Sequence, residues 1–297
     1  MKVHKLAGID IGSNSVRLLV SNVITDRKNT LFKKSSLTRL PIRLGSDSFG
    51  KGKIAKKNIN RLVTGMRAYS NIMDVHGVEQ YRACATSALR EASNGEEVCR
   101  MVLEETGINI ELIDGKEEAK MIFNSDMIDS IRDQEDSFLY MDVGGGSTEF
   151  TLFYGNQIKA SRSFKIGTIR LLNGMVHKDD WDVMRDWIRA ETKGMGEVLM
   201  VGSGGNINRT FKMSDRKAGQ PLSLDYIENT YNMLLKFTPE ERMIKFDLNP
   251  DRADVITHAL KIYKSAMTWA GSERMLVPKK GLADGIVRYL FREHVLS

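Results

Sequence analysis

A chain of 297 residues, 41% hydrophobic and 28% charged, has the size and make-up of one large or two ordinary soluble domains. No apolar run nears the ~20 residues of a membrane span. The opening Met1-Lys2-Val3-His4 lacks a signal peptide's apolar stretch, so a cytoplasmic address and no membrane partner are expected. Cys84 and Cys99 lie in segments of core character and read as buried free thiols rather than a disulfide or metal pair. The net charge of +6 is a mild pull toward an acidic partner, although a solvated lysine-rich surface is the simpler reading of charge alone.

Three strands are predicted first, at 3–10, 15–22 and 30–36, each rich in β-formers and bounded by turn residues. Ile59, Leu62, Val63, Met66, Tyr69, Ile72 and Met73 then recur at helical spacing. A strand near 80–85, a helix near 87–106, a strand at 109–113 and a helix from 116 complete the order βββαβαβα. The same order follows again. Strands are expected at 137–143, 149–154 and 157–162, the last two joined at Gly155-Asn156. Helices over 167–195, a strand at 197–202, a helical insertion over 223–270, a strand at 273–277 and a helix at 282–295 finish it. The halves meet near 125–136.

Each half opens with the same motif, an apolar strand ending in aspartate and then a turn of Gly and Ser: Asp10-Ile11-Gly12-Ser13-Asn14-Ser15 and Asp142-Val143-Gly144-Gly145-Gly146-Ser147. A third glycine turn, Gly202-Ser203-Gly204-Gly205-Asn206, follows the strand at 197–202. One glycine loop is explained by an ordinary tight turn. Three, each directly after a buried strand, point to phosphate binding, because glycine permits conformations in which successive N–H groups converge on an anion. The duplication argues for two domains facing each other across a cleft. A carboxylate repels phosphate unless a hard cation bridges them, so Asp142 and Glu149, with Asp10 as a further donor, are expected to bind Mg²⁺ or another divalent cation.

The segments Asp10–Val20, Ala85–Ala92, Gly115–Ala119, Asp142–Glu149, Gly202–Gly205 and Asn249–Ile256 resemble, in order and over nearly the whole chain, the exopolyphosphatase/guanosine pentaphosphate phosphohydrolase (Ppx/GppA) family. The resemblance implies an α/β fold of two ribonuclease H-like domains of the actin/sugar kinase/Hsp70 superfamily. It implies domains of 1–127, completed by the helix at 282–297, and 128–281 with a helical insertion. It makes Glu118 the base that prepares the attacking water, with its neighbour Glu117 as the alternative. Arg90 becomes a phosphate-binding arginine beside the turn residues Gly12, Ser13, Asn14, Ser15, Gly144, Gly145, Gly146, Ser147, Gly204 and Gly205. Asn206 stands where many relatives carry Thr. With no adjacent His-Asp pair, the chain is similar to the short, two-domain form, whose last helix packs back on the first domain.

The expected activity is release of terminal phosphate from inorganic polyphosphate, short chains favoured, or from a guanosine pentaphosphate-type nucleotide. No nucleic-acid partner is expected; a homodimer is allowed for. The alternatives are a small-molecule kinase of the superfamily and a non-catalytic nucleotide-sensing relative. The basic groups Lys51, Lys53, Lys56, Lys57 and Arg209, Lys212, Arg216, Lys217 are candidates for a polyanion path, and solvated helix ends explain them nearly as well.

Overall fold

Strand β1 (Lys2–Ile11) is buried along residues 6–11 without alternation, the pattern of a strand covered on both faces. It lies at the centre of a five-stranded sheet, in a computed structural model that describes residues 1–26, 29–123, 131, 137–155, 157–278 and 280–295. The junction at 125–136, Asn156 and Leu296 therefore fall outside the described residues wholly or in part. The chain divides into two compact units, Met1–Ser125 with Gly281–Ser297, and Asp126–Lys280.

In the first unit β2 (Val16–Thr25) pairs antiparallel with β1, and β3 (Thr30–Leu40) antiparallel with β2. β4 (Gln80–Ala85) and β5 (Ile110–Leu112) continue the other side in parallel, giving the order β3-β2-β1-β4-β5. Parallel neighbours need crossovers, and helices supply them. These are α1 (Leu44–Lys51) and α2 (Lys56–His76) before β4, and α3 (Ser87–Glu91) and α4 (Gly95–Thr106) before β5. Helix α2 buries Leu62, Val63, Met66, Tyr69 and Met73, and stops at Gly77, whose φ of 65° closes its end. α5 (Gly115–Phe123) follows β5.

The second unit repeats the plan. β6 (Ser137–Val143), β7 (Thr148–Tyr154) and β8 (Gln157–Phe164) form an antiparallel meander. β9 (Leu199–Ser203) and β11 (Arg274–Leu276) add in parallel, and β10 (Leu222–Ser223) closes the order β10-β11-β9-β6-β7-β8. Its helices are α6 (Thr168–Leu172), α7 (Lys178–Thr192), α8 (Gly205–Met213), α9 (Leu224–Leu235), α10 (Pro239–Phe246), α11 (Pro250–Ala253) and α12 (Ile256–Ala270). α12 runs through the core, burying Ile256, Ala259, Leu260, Ile262, Tyr263, Ala266 and Met267 among others. The last helix, α13 (Leu282–His294), belongs to the first unit: Leu282, Ile286, Val287, Leu290 and Phe291 share a core with Leu6, Leu19, Val23, Cys84, Ile113 and Met121. Both cysteines are free thiols, pushed up to about 12 (Cys84) and about 11 (Cys99), in each case chiefly by burial. Among the described residues no helix is long and apolar enough to cross a membrane.

The α/β fold class holds, and two local expectations are corrected. The helix expected over 87–106 is two helices: the Asn94 side chain accepts from the Ile54 N–H at 2.8 Å and donates to the Ile54 carbonyl at 3.0 Å, pulling the chain out of helix. The helices expected over 167–195 are α6 and α7, separated at Gly174, which takes φ 66°. Helices α1 and α8 lie where no helix was expected. The sequence of α1, Leu-Gly-Ser-Asp-Ser-Phe-Gly-Lys, is poor in helix formers, and tertiary contacts override its propensity.

Candidate active site

In the first unit β1 ends at Asp10-Ile11 and reverses through residues 12–15 into β2. The Gly12 N–H donates to the Ser15 carbonyl at 3.1 Å, closing the turn. Two further turn carbonyls are held by the start of α1: the Gly45 N–H donates to Ser13 at 2.8 Å and the Arg43 N–H to Asn14 at 3.2 Å. In a planar trans peptide the C=O and the following N–H point opposite ways. The amides of Asn14 and Ser15 are therefore turned away from α1. Ser13 Oγ hydrogen-bonds Ser87 Oγ at 3.0 Å, tying the turn to the start of α3.

The second unit builds the same turn more completely. The Gly144 N–H donates to the Ser147 carbonyl at 3.0 Å. The carbonyl of Gly144 accepts from the Thr168 N–H at 3.0 Å, that of Gly145 from Ile169 N–H at 2.8 Å, and that of Gly146 from Arg170 Nε at 2.7 Å. Three consecutive carbonyls are thus drawn to one side, and the amides of Gly145, Gly146 and Ser147 face the other. This is a three-donor nest for an anion. Packing demands the glycine at 167: a β-carbon there would stand 2.4 Å from the Gly145 carbonyl oxygen.

Asp142 is the antiparallel partner of Glu149 and the parallel partner of Ser203. The third turn comes to it: Gly204, at φ 121°, has a β-carbon position 3.3 Å from Asp142 Oδ1 and 3.1 Å from the Tyr263 hydroxyl. That hydroxyl donates to the Ser203 carbonyl, and burial first, then Asp142, push it well above its ordinary pKa. Gly205 opens α8, and Asn206 is buried in its first turn. Glu149 is buried, and its Oε1 accepts from Ser147 Oγ at 2.5 Å and from Ser163 Oγ at 2.9 Å. The Ser147 hydroxyl proton is thus directed at a carboxylate, leaving its amide as the donor toward an anion.

Two carboxylates directly opposite in a ladder repel, and a divalent cation relieves that repulsion. Among the described residues no group of three His, Cys, Asp or Glu side chains converges on a metal position. Magnesium needs no such cage. One or two carboxylates suffice, with water and phosphate oxygens completing its shell. The hard oxygen donors of Asp142 and Glu149 fit it. Asp10 stands differently: its cross-strand partner is Arg17, whose Nη1 lies 3.4 Å from Asp10 Oδ2. A guanidinium already meets that carboxylate, so a second cation is disfavoured there.

The two adjacent glutamates on α5 separate cleanly. Asp114 caps the helix, its Oδ1 accepting from the Glu117 N–H at 2.8 Å. Glu117 Oε1 is bound to Arg82 Nη2 at 2.6 Å in a cluster that also holds Glu111. Glu118 is buried. Arg90, in the last turn of α3, donates from Nη1 to the Ile113 carbonyl at 2.5 Å, so one donor of its fork is committed to the end of β5. Both basic groups are largely exposed: Lys51, Lys53, Lys56 and Lys57 in the first, and Lys212, Arg216 and Lys217 in the second. Arg209 is spent on the Phe246 carbonyl and on Asp247 at 3.5 Å.

Sequence reasoning missed the residues that hold the turns: Arg43, Gly45, Ser163, Gly167, Arg170 and, beside Asp10, Arg17. Arg17 was legible, since Asp10/Arg17 and Asp142/Glu149 have equal spacing. Ser163 lies on the third strand of its unit and the others on segments that follow that strand, and no local pattern marks them.

The model of the Ppx/GppA phosphatase family matches residues 23–294. Exopolyphosphatase 2 of Mycobacterium tuberculosis is 32% identical over 316 residues, covering 96% of this chain and 98% of that one. The bifunctional 3-dehydroquinate synthase/phosphatase of Fusobacterium nucleatum is 30% identical over 304 residues, covering 95% of this chain but 46% of that longer protein. Among solved structures, an exopolyphosphatase from Cytophaga hutchinsonii superposes with a TM-score of 0.82 at 24% identity, covering 98% of this chain and 99% of that one, and shares the fold. The chain belongs to the Ppx/GppA phosphatase family.

Proposed function

We propose that this protein is a Mg²⁺-dependent phosphohydrolase that removes terminal phosphate from inorganic polyphosphate, short chains first, with a guanosine pentaphosphate-type nucleotide as the other substrate of the same chemistry, acting in the cytoplasm. The observation that carries the reading is the glycine turn of the second unit. Its three carbonyls are drawn to one side, which presents three preorganised N–H donors to a phosphate without cost at the moment of reaction. Preorganised donors and charge neutralisation are what phosphoryl transfer to water requires. Family membership and the names of the Mycobacterium tuberculosis relatives, exopolyphosphatases 1 and 2, support polyphosphate as the substrate.

In this reading Asp142 and Glu149 hold the metal, directly or through water. When bound, the ion neutralises charge on the phosphate oxygens. The amides of Asn14 and Ser15, and those of Gly145, Gly146 and Ser147, bind phosphate. Arg90 adds a planar donor fork. Glu118, in the first turn of α5, sits where the helix dipole favours a carboxylate, and takes the proton of the attacking water. Glu117, already paired with Arg82, is left out of the mechanism. Asp10 is withdrawn from the metal set because Arg17 meets it.

The test is phosphate release from short polyphosphate, long polyphosphate and guanosine pentaphosphate, side by side, with Mg²⁺ and with chelator. Release from polyphosphate that stops in chelator is expected. Turnover unchanged in chelator removes the metal, and no release from any of the three removes the activity.

A further inference from the structure

The Ser163 hydroxyl on β8 donates to Glu149 Oε1 at 2.9 Å, the same oxygen that takes the Ser147 hydroxyl at 2.5 Å. Ser163 is the antiparallel partner of Glu149 across the β7–β8 ladder, so the contact is fixed by strand register rather than by a flexible loop. It lies outside all three glycine turns and outside every segment that carried the family resemblance.

Two hydroxyl donors converging on one oxygen do more than a single bond. One donor leaves a carboxylate able to rotate about its last bond. Two donors approaching from different segments, Ser147 from the turn before β7 and Ser163 from β8, define the plane of the carboxylate as well as its direction. A group that coordinates a metal, or orders its water, depends on that plane, because the remaining lone pairs must point at the ion. Glu149 is buried while Ser163 is exposed. An exposed serine has little packing to lose, so its hydroxyl has no evident role in holding the fold.

We propose that Ser163 is a positioning residue for the reaction: with Ser147 it sets the Glu149 carboxylate in the orientation that the metal or its water requires. The inference rests on the reading of Glu149 as a metal-organising carboxylate. It also reassigns the Ser147 hydroxyl, which works on Glu149 while its main-chain N–H works on phosphate.

The test uses the full chain and Mn²⁺ as a paramagnetic stand-in for Mg²⁺. Mn²⁺ binding is read by electron spin resonance, with and without a non-hydrolysable triphosphate, for wild type, Ser163→Ala, Ser163→Thr, Glu149→Gln and the double variant Ser163→Ala/Glu149→Gln. The Mg²⁺ concentration for half-maximal hydrolysis is measured on the same five proteins, and melting temperatures are compared. Loss of an outer-shell partner typically costs about 10–100-fold in metal affinity or activity. Ser163→Ala is expected to weaken Mn²⁺ binding and raise the Mg²⁺ requirement by about 10-fold, the low end of that range, with the melting temperature unchanged. Ser163→Thr, which keeps a hydroxyl, should restore both. In the Glu149→Gln background the alanine change should add little, since the two residues act as one unit. Unchanged metal binding in Ser163→Ala, beside a clear loss in Glu149→Gln, overturns the positioning role and leaves the site reading intact. Unchanged metal binding in Glu149→Gln, or no Mn²⁺ binding by wild type under either condition, overturns the reading of Glu149 and this inference with it. Full additivity of the two changes also overturns the inference, because it makes the serine's effect independent of the carboxylate.

Discussion

Arg17 occupies in the first sheet the position that Glu149 occupies in the second: each is the antiparallel partner of the aspartate that precedes the turn, Asp10 in one case and Asp142 in the other. One backbone plan therefore carries an ion pair in the first unit and two facing carboxylates in the second. The metal requirement should follow that asymmetry. Asp142→Asn is expected to raise the Mg²⁺ needed for half-maximal activity, since it removes a hard charged ligand, whereas Asp10→Asn should leave it close to wild type. Equal shifts in a Mg²⁺ titration of the two variants would return Asp10 to the metal.

Gly167 has its own test. A β-carbon there meets the Gly145 carbonyl oxygen and the Gly146 carbonyl carbon at 2.4 Å each, and both are backbone atoms that cannot swing aside. Gly167→Ala must shift the turn and re-aim its amides. Small misplacements of binding groups can cost about 10²-fold in rate, and kcat/KM should fall by that order. Overpacking should also cost roughly 1–3 kcal/mol in stability. Chemical denaturation and steady-state kinetics on the same preparation check both, and a kinetically normal variant would mean that the turn is not the phosphate donor.

For the glutamate pair on α5, Glu118→Gln keeps size and hydrogen bonding but cannot accept a proton. Its turnover should drop by about 10²-fold or more, with little change in substrate binding. Glu117→Gln should retain turnover and instead loosen the link to Arg82. The reverse ranking in single-turnover assays would exchange the two roles.

The pH dependence of stability has a definite sign at Asp10. Burial raises its carboxyl above the ordinary value of 3.8, and the Arg17 guanidinium opposes this without cancelling it. The folded state thus holds the proton more tightly than the unfolded chain does. The contribution of this group to stability is full below the ordinary carboxylate pKa and is lost as pH rises through the raised, folded value. Asp10→Asn cannot ionise and escapes that loss. The melting temperature of the variant relative to wild type should therefore climb as pH is raised from about 4. A difference that stays flat would mean that Arg17 cancels the burial, and one that falls with pH would make the ionised carboxylate a net stabiliser.

Chain-length behaviour follows from the supply of cations. The exposed cations of the two basic groups are two short clusters, Lys51, Lys53, Lys56 and Lys57 in one and Lys212, Arg216 and Lys217 in the other, and Arg209 is already engaged within its own unit. Polyanion binding strengthens with the number of charge contacts, a rule carried over here from nucleic acids. With few contacts, release competes with the next cleavage, and hydrolysis of long chains should be distributive with a shallow salt dependence. A gel time course on chains of uniform length checks this. Full-length chains persisting beside free phosphate, with no intermediates, would mean processive action.

The elements that reach furthest into the chemistry were the most legible in the sequence. Asp10, Asp142 and the glycine turns stand at the ends of apolar strands, where periodicity and turn chemistry agree, and the repeat of the whole order made the two-unit plan readable. What escaped was the support. Helix α1 carries Gly45 and Gly50 in eight residues, and it forms because Phe49 and Leu44 are buried and its first turn binds the turn before β2. Nothing local announces that. Ser163 reads as one more polar residue on an exposed strand until register sets it opposite Glu149. Gly167 reads as a helix start until the turn is seen against it. Contacts between segments distant in sequence decide all three, and no single-segment pattern encodes them.

Helix α13 supplies six buried apolar side chains to the core of the first unit, yet it is the last element of the chain. On the ribosome the first sheet emerges early and must wait, with Leu6, Leu19 and Val23 uncovered, until residues 126–280 have been made. At translation rates of ~5–20 residues per second that wait is roughly 8–30 s. During it the apolar strands of the first unit stay uncovered and are a natural target for chaperones that recognise exposed apolar strands.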